Sequence, residues 1–337
     1  MGDCQTLGGS SIFNFLRLPN TPQLTALGGI NVSVSSNDVG MAFNNPALLK
    51  KDMHTQMNLV FNSFYAGTDA YHLSFGYRQE KLKTNFAFGL TYFDYGKVTE
   101  TDAAGNVFGN LRPTDWVMQL SASRSYLEKW NYGASMKFIS SNYGIYHSNG
   151  IAADAGVLYT DTANLLSASL LVKNIGFQLK KYAGAGAEEL PFDLEAGITK
   201  KLKDAPLSFS LTAQRLHQFD IRYNDTVFNA GLGANKQGKF TFDKIFRHFV
   251  IAAQAYPIPQ IEFSVGYNHL RRQELNISNT TNGLNGFSLG LGLLVKKLQV
   301  RYARTYYQNN TAFNQLGLSL KLNEYFGLGK WGQKIGW

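Results

Sequence analysis

Apolar and polar positions alternate with a period of two along most of the chain. Phe86, Phe88, Leu90 and Tyr92 share one face, and Ala87, Gly89 and Thr91 share the other. The same phase separates Trp116, Met118 and Leu120 from Gln119, Ser121 and Ser123. It also separates Phe287, Leu289, Leu291 and Leu293 from Ser288, Gly290 and Gly292. Side chains repeat every two residues in a strand, so this pattern predicts strands with one bulky apolar face and one small or polar face. The segments that follow it are 54–63, 70–79, 84–95, 115–126, 130–141, 149–159, 164–174, 190–201, 205–214, 246–256, 259–270, 285–295, 297–307 and 312–322. They run about nine to twelve residues, longer than the about five or six common in globular strands and long enough to cross a bilayer at a tilt.

The connections alternate in length. Short ones fall at 80–83, 127–129, 160–163, 202–204, 257–258 and 296; longer ones fall at 96–114, 142–148, 175–189, 215–245 and 271–284. Tight turns on one rim and long loops on the other are the signature of an up-and-down barrel in an outer membrane. A propeller would show a repeat of about 40 to 50 residues, and the chain has none. The expected fold is therefore all-β: an up-and-down antiparallel transmembrane β-barrel of about 14 strands. Residues 1–53 stand outside the rhythm and predict a short N-terminal plug segment, 54–322 the barrel, and 323–337 a glycine-rich periplasmic tail. Within the plug, Ile12, Phe13, Phe15, Leu16 and Leu18 predict one short amphipathic helix that Pro19 and Pro22 break.

Composition fits this reading. Charged residues are 16% of the chain, against about a quarter in soluble domains, while 18 Tyr and 24 Phe exclude a disordered chain. No apolar run reaches the ~18 residues of a spanning helix, a test that alternating barrel strands do not fail. Aromatic residues recur near segment ends (Tyr71, Tyr77, Tyr92, Tyr95, Trp116, Tyr126, Trp130, Tyr159, Tyr256, Tyr267, Tyr306, Tyr307), as headgroup-level girdles do. The net charge of +9 is scattered in pairs such as Lys50-Lys51 and Arg271-Arg272, with no basic stripe. Nucleic acid is therefore not an expected partner, whereas lipid phosphate or an acidic glycan at Arg271 and Arg272 is. Cys4 is the single cysteine, so no intrachain disulfide or cysteine metal cluster is expected, and it reads as an ordinary residue near a start or processing boundary rather than as a lipid-anchor site. A signal peptide, absent from the chain, is expected to have been removed or missed.

Chemistry-bearing motifs are few. Gly233 to Lys239 matches the first seven positions of a phosphate-binding loop, but Phe240 stands where Ser or Thr would hold magnesium. The six histidines are dispersed, so neither a metal nor a cofactor is expected. His147, His217, Asp220 and Asp225 fall in or beside long loops and read as solvated residues rather than a rim hydrolase. No catalytic residue is assigned. Asn44, Asn45, Pro46 and Ala47 form the sharpest local signal: an Asn-Pro turn entering a short helix, read as a fixed plug element. Inward faces built from Gly, Ser, Thr, Asn and Gln disfavour a greasy lumen.

Together these stretches make the chain resemble the FadL-like outer-membrane proteins, and among them the PorQ-like family of the type IX secretion system. The matching stretches are TALGGINVSV (25–34), AFNNPALL (42–49), TDAAGN (101–106), LLVKNIGFQLKKY (170–182), LPF (190–192), GITKKLKDAP (197–206), DKIFRHFVIAAQ (243–254) and GYNHLRRQEL (266–275). The resemblance implies a non-catalytic cell-surface attachment role beside a PorZ-like partner, a PorV-like shuttle and a PorU-like sortase. The sortase would process cargo and attach anionic lipopolysaccharide. The rival expectation is a FadL-like transporter of hydrophobic small molecules.

Overall fold

The period-two segments pair edge to edge until the sheet closes on itself. The computed structural model describes residues 11–64, 67–102, 104–221, 242–274, 283–295, 297–308 and 311–326. Fourteen strands form the barrel: β1 (Gln56–Ser63), β2 (Asp69–Gln79), β3 (Thr84–Asp94), β6 (Thr114–Tyr126), β7 (Trp130–Tyr143), β8 (Tyr146–Asp161), β9 (Leu166–Lys180), β10 (Asp193–Lys201), β11 (Leu207–Ala213), β12 (Phe249–Ile258), β13 (Ile261–Asn268), β14 (Phe287–Leu294), β15 (Leu298–Gln308) and β16 (Thr311–Lys321). Every neighbour is antiparallel, and β1 closes on β16 with Leu59 opposite Leu318. Closure leaves no unpaired edge, which is what a sheet immersed in lipid requires.

The strand phase decides which side meets lipid. Phe88 pairs with Leu120 and Leu120 with Met136, a belt on the outer wall where Leu120 is 65% and Met136 71% exposed. The adjacent inward positions, Gly89, Gln119 and Lys137, form the parallel row inside. An apolar face this continuous and this exposed is a lipid contact, not a soluble surface. Tyr71, Tyr92, Tyr126 and Trp130 stand exposed near strand ends as a girdle does. Tyr95 departs from it: its hydroxyl turns to Asp115 at 2.6 Å, joined there by Tyr143 at 2.8 Å.

Several expected connections differ. The loop at 142–148 is a two-residue turn, Gly144–Ile145, because β7 and β8 continue pairing to Tyr143 and Tyr146; Gly144 supplies the left-handed φ of 70°. His147 therefore lies in β8. The loop at 96–114 carries its own hairpin, β4 (Val98–Thr101) and β5 (Val107–Leu111), outside the barrel. The strand expected at 259–270 stops at Asn268, where a helical turn takes over. The short helices are α1 (Pro22–Ala26), α2 (Met41–Asn44), α3 (Phe242–Phe246), α4 (His269–Glu274) and α5 (Leu322–Phe326), the last opening the segment expected to be a plain tail. The phosphate-loop motif at 233–239, Asp225, Cys4 and residues 327–337 lie outside the described residues.

Residues 11–55 run through the lumen. Asn14–Arg17 form a 3-10 turn rather than the longer helix expected. Pro22 starts α1 instead of breaking a helix: it occupies the first turn, where its missing N–H costs nothing, and Thr21 Oγ1 caps the Leu24 amide at 3.2 Å. Near the long-loop rim, Ile12, Phe13, Phe15 and Leu16 pack on inward Phe93, Val117, Ile139 and Ala152. At the opposite rim Leu322 N donates to Thr55 O at 2.9 Å, joining the end of β16 to the start of β1.

Candidate functional site

The Asn-Pro turn is seated on one row of cross-strand neighbours. Asn85, Ser123, Gly133 and Gly156 lie side by side on β3, β6, β7 and β8 and face the lumen. Ser123 Oγ donates to Leu49 O at 2.7 Å. A Cβ on Gly133 would lie 2.5 Å from Pro46 C, and one on Gly156 would lie 2.3 Å from Asn45 Oδ1. Bare backbone at these positions is what lets the turn lie against the wall. Asn45 fixes it there: Oδ1 accepts from Ala47 N at 3.0 Å, and Nδ2 donates to Val32 O at 2.8 Å and Ser169 Oγ at 3.0 Å. Asn44 Nδ2 donates to Asn31 O at 2.8 Å. Inward glycines repeat the device elsewhere, with Gly266 beneath Leu27–Gly28 and Gly317 beneath Pro22.

A buried ionic network stands next to this seat. In β9 one extra residue opposes β8 near Asp154, a bulge in which Asn174 takes a φ of 56°. The bulge breaks the alternation and turns two consecutive side chains, Lys173 and Asn174, into the lumen. Lys137 Nζ meets Asp154 at 2.7 Å and donates to Asn174 Oδ1 at 2.8 Å; the Lys137 and Asp154 side chains are 2% and 0% exposed. Ser135 Oγ and Asn174 N also donate to Asp154, so each charge is both paired and hydrogen-bonded. Lys173 Nζ donates to Asn44 Oδ1 at 2.7 Å and stands 3.7 Å from Glu195 Oε1, tying the plug to β9 and β10. A second group lies nearer the short turns. Arg301 stands 3.5 Å from Asp38 and 3.6 Å from Glu262, while burial holds the Asp38 carboxyl above its ordinary range against the pull of Arg301.

Between the plug, strands β9, β10 and β13 and the residues that follow β11 lies a cavity of about 220 Å³. Leu16, Leu18, Leu24, Ile30 and Leu270 form its apolar side; Arg17, Lys173, Asp193, Glu195, Arg215, Arg271 and Glu274 bring charge. It reaches the long-loop rim at Arg215 and Glu274. Arg17 Nε and Glu195 Oε2 are buried without a hydrogen-bond partner. Burial, with the Arg215 charge second, holds the Arg17 guanidinium below its ordinary value.

The other expected site residues do not converge. Arg271 turns inward from α4, with Nη1 donating to Thr305 Oγ1 at 3.0 Å. Arg272 instead donates to the carbonyls of Gly283 and Asn285 at 3.2 and 3.3 Å. His217 packs edge-on against Phe192, and Asp220 pairs with Lys244 at 2.9 Å. Among the described residues no group of three or more His, Cys, Asp or Glu is placed to hold a metal. The lumen charges form no motif in the sequence, because Lys137, Asp154, Lys173 and Glu195 stand singly on four different strands. Lys137 between outward Met136 and Phe138 was the available signal, an ionic residue in the inward phase of a barrel strand.

No family model matches the chain, and no curated protein matches it. Among solved structures it is similar to a TodX monoaromatic hydrocarbon channel deltaS2 mutant, at 12% identity and a TM-score of 0.48, over 89% of this chain and 97% of that one. A Pseudomonas aeruginosa FadL homologue is similar at 11% identity and a TM-score of 0.44, with the same 89% and 97% coverage. KdgM porin is similar at 6% identity and a TM-score of 0.34, over 79% of this chain and 98% of that one. The likeness is one of fold.

Proposed function

We propose that the chain is a non-catalytic, plug-occluded channel of a bacterial outer membrane that admits a small solute from the long-loop side. The observation that carries this reading is the cavity between the plug and the wall, lined on one side by leucines and on the other by charge. A cleft with an apolar body and a few convergent polar groups is the usual form of a small-molecule site. Its charge argues against a purely hydrophobic solute. The plug is held to the wall by side-chain hydrogen bonds, ion pairs and packing on a glycine-lined seat and belongs to no strand, so it is an element distinct from the sheet. In proteoliposomes holding the full chain, net flux of amino-acid-sized solutes is expected above that of protein-free vesicles. A barrel that shows heat-modifiable gel mobility yet passes no solute would remove the proposal.

A second reading draws on the β4–β5 hairpin, where Val107 and Phe108 are 66% and 70% exposed beyond the barrel rim. It is a docking surface for the secretion partners that the PorQ-like resemblance implies: a PorZ-like protein, the PorV-like shuttle and the PorU-like sortase. Arg271 and Arg272 contribute less to such a surface, or to lipopolysaccharide binding, because both are engaged with the chain itself. Crosslinking in native membranes from residues 98–111 is expected to capture one of these partners; recovery of none of them counts against docking.

A further inference from the structure

The cavity holds an unexplained pair. Arg17, on the plug, keeps a buried Nε with no acceptor, and Glu195, on β10, keeps a buried Oε2 with no donor. Most buried polar atoms in folded chains are hydrogen-bonded, and leaving one without a partner costs free energy. Their residues, of opposite sign, both line the same cavity. Nearby charges do not resolve either one. Lys173 commits its ammonium to Asn44 at 2.7 Å and stays 3.7 Å from the other Glu195 oxygen. Arg215, the charge that acts most strongly on Arg17, is a second cation and repels it, against a weaker pull from each of Asp193, Glu274 and Glu195. A bound anion beside Arg17 and Arg215 would relieve that repulsion, and a bound cation would offset the Glu195 charge.

We propose that the cavity binds a small zwitterion, its anionic end on Arg17 and Arg215, its ammonium on Glu195, and a short apolar body against Leu16, Leu18 and Leu270. The inference rests on the channel reading, of which it names the solute class. A cavity of about 220 Å³ has room for a solute the size of an amino acid.

The test uses the full chain in detergent and three probes in a calorimetric titration: L-leucine, N-acetyl-L-leucine, which lacks the ammonium, and L-leucinamide, which lacks the carboxylate. L-Leucine is expected to bind, and each blocked form to bind roughly tenfold weaker or worse, the cost of losing one buried charge-assisted hydrogen bond. The variants cross over. Glu195→Gln weakens L-leucine and L-leucinamide but not N-acetyl-L-leucine, and Arg17→Gln weakens L-leucine and N-acetyl-L-leucine but not L-leucinamide. A loss of fold would instead weaken all three and abolish heat-modifiable mobility. Equal binding of L-leucine and N-acetyl-L-leucine, or no binding of any probe to the folded parent, overturns the zwitterion site. Proteoliposome flux separates the two claims. Flux of other solutes without L-leucine binding leaves the channel and removes the zwitterion, while crossed binding without flux leaves the site and removes the channel.

Discussion

Replacing Gly133 by alanine adds one methyl group beneath the Asn-Pro turn. That Cβ would stand 2.5 Å from Pro46 C, 2.6 Å from Pro46 O and 2.7 Å from Ala47 N, all backbone atoms that no rotamer change can move. Ordinary contact begins at 3.4 Å, so the turn must lift by about 0.9 Å (3.4 − 2.5). A lift of that order takes the Asn45 bonds to Val32 O and Ser169 Oγ, now 2.8 and 3.0 Å, out of hydrogen-bonding range. Each buried group left unpaired costs about 1–3 kcal/mol, and the overpacking itself a similar amount. Taking about 3 kcal/mol as the lower end, local opening of the plug rises roughly 150-fold. Hydrogen exchange of the full chain in detergent reads this directly. The Ala47, Leu48 and Leu49 amides, bonded to Asn45 Oδ1, Asn45 O and Pro46 O, are expected to exchange about two orders of magnitude faster. Strand amides should be unchanged. Gly109→Ala is the control, because a Cβ there meets nothing within 4 Å. If Gly133→Ala and Gly109→Ala protect residues 47–49 equally while both barrels stay folded, the seat does not hold the plug.

Three further outcomes follow from the same contacts. Asp154→Asn leaves the Lys137 ammonium buried without its ion pair and is expected to cost about 3–5 kcal/mol, read as a lowered thermal midpoint; an unchanged midpoint, or no recovery in a double variant with Lys137→Met, would contradict it. Lys50 is pushed down to about 8 from 10.5, chiefly by burial and then by Lys201. Between those values the unfolded chain binds the extra proton, so stability is expected to rise with pH from about 8 to 10.5, by up to ~3 kcal/mol, and Lys50→Met to flatten that slope in thermal melts. Phe108→Ser on the exposed hairpin should leave the barrel's melting behaviour within about 0.5 kcal/mol of the parent while removing any partner crosslink that the hairpin makes.

The strands were legible because a strand's signal is local. Phe86 to Tyr92 declare their faces in seven residues, and the structure places the apolar set outward and the small set inward. The 142–148 connection resembles a loop in isolation because Asn142, Gly144, His147 and Ser148 carry no apolar alternation; only the pairing of Asn142 with His147 and of Tyr143 with Tyr146 shows it to be strand around a tight turn. The Asn-Pro turn was visible as a fixed element, but nothing in 44–47 says what it rests on.

The sequence alone therefore determined the strands, their number, the face each gives to lipid and the tight turns on one rim, since all of these depend on neighbours two to twelve residues apart. Tertiary structure alone decided that Gly133 and Gly156 form a seat, that a bulge aims both Lys173 and Asn174 inward, and that Arg17 and Glu195 share a cavity. Those facts depend on the register between strands and on the path of the plug, which are set by hydrogen bonds and packing between residues far beyond a local window, such as Lys173 and Asn44.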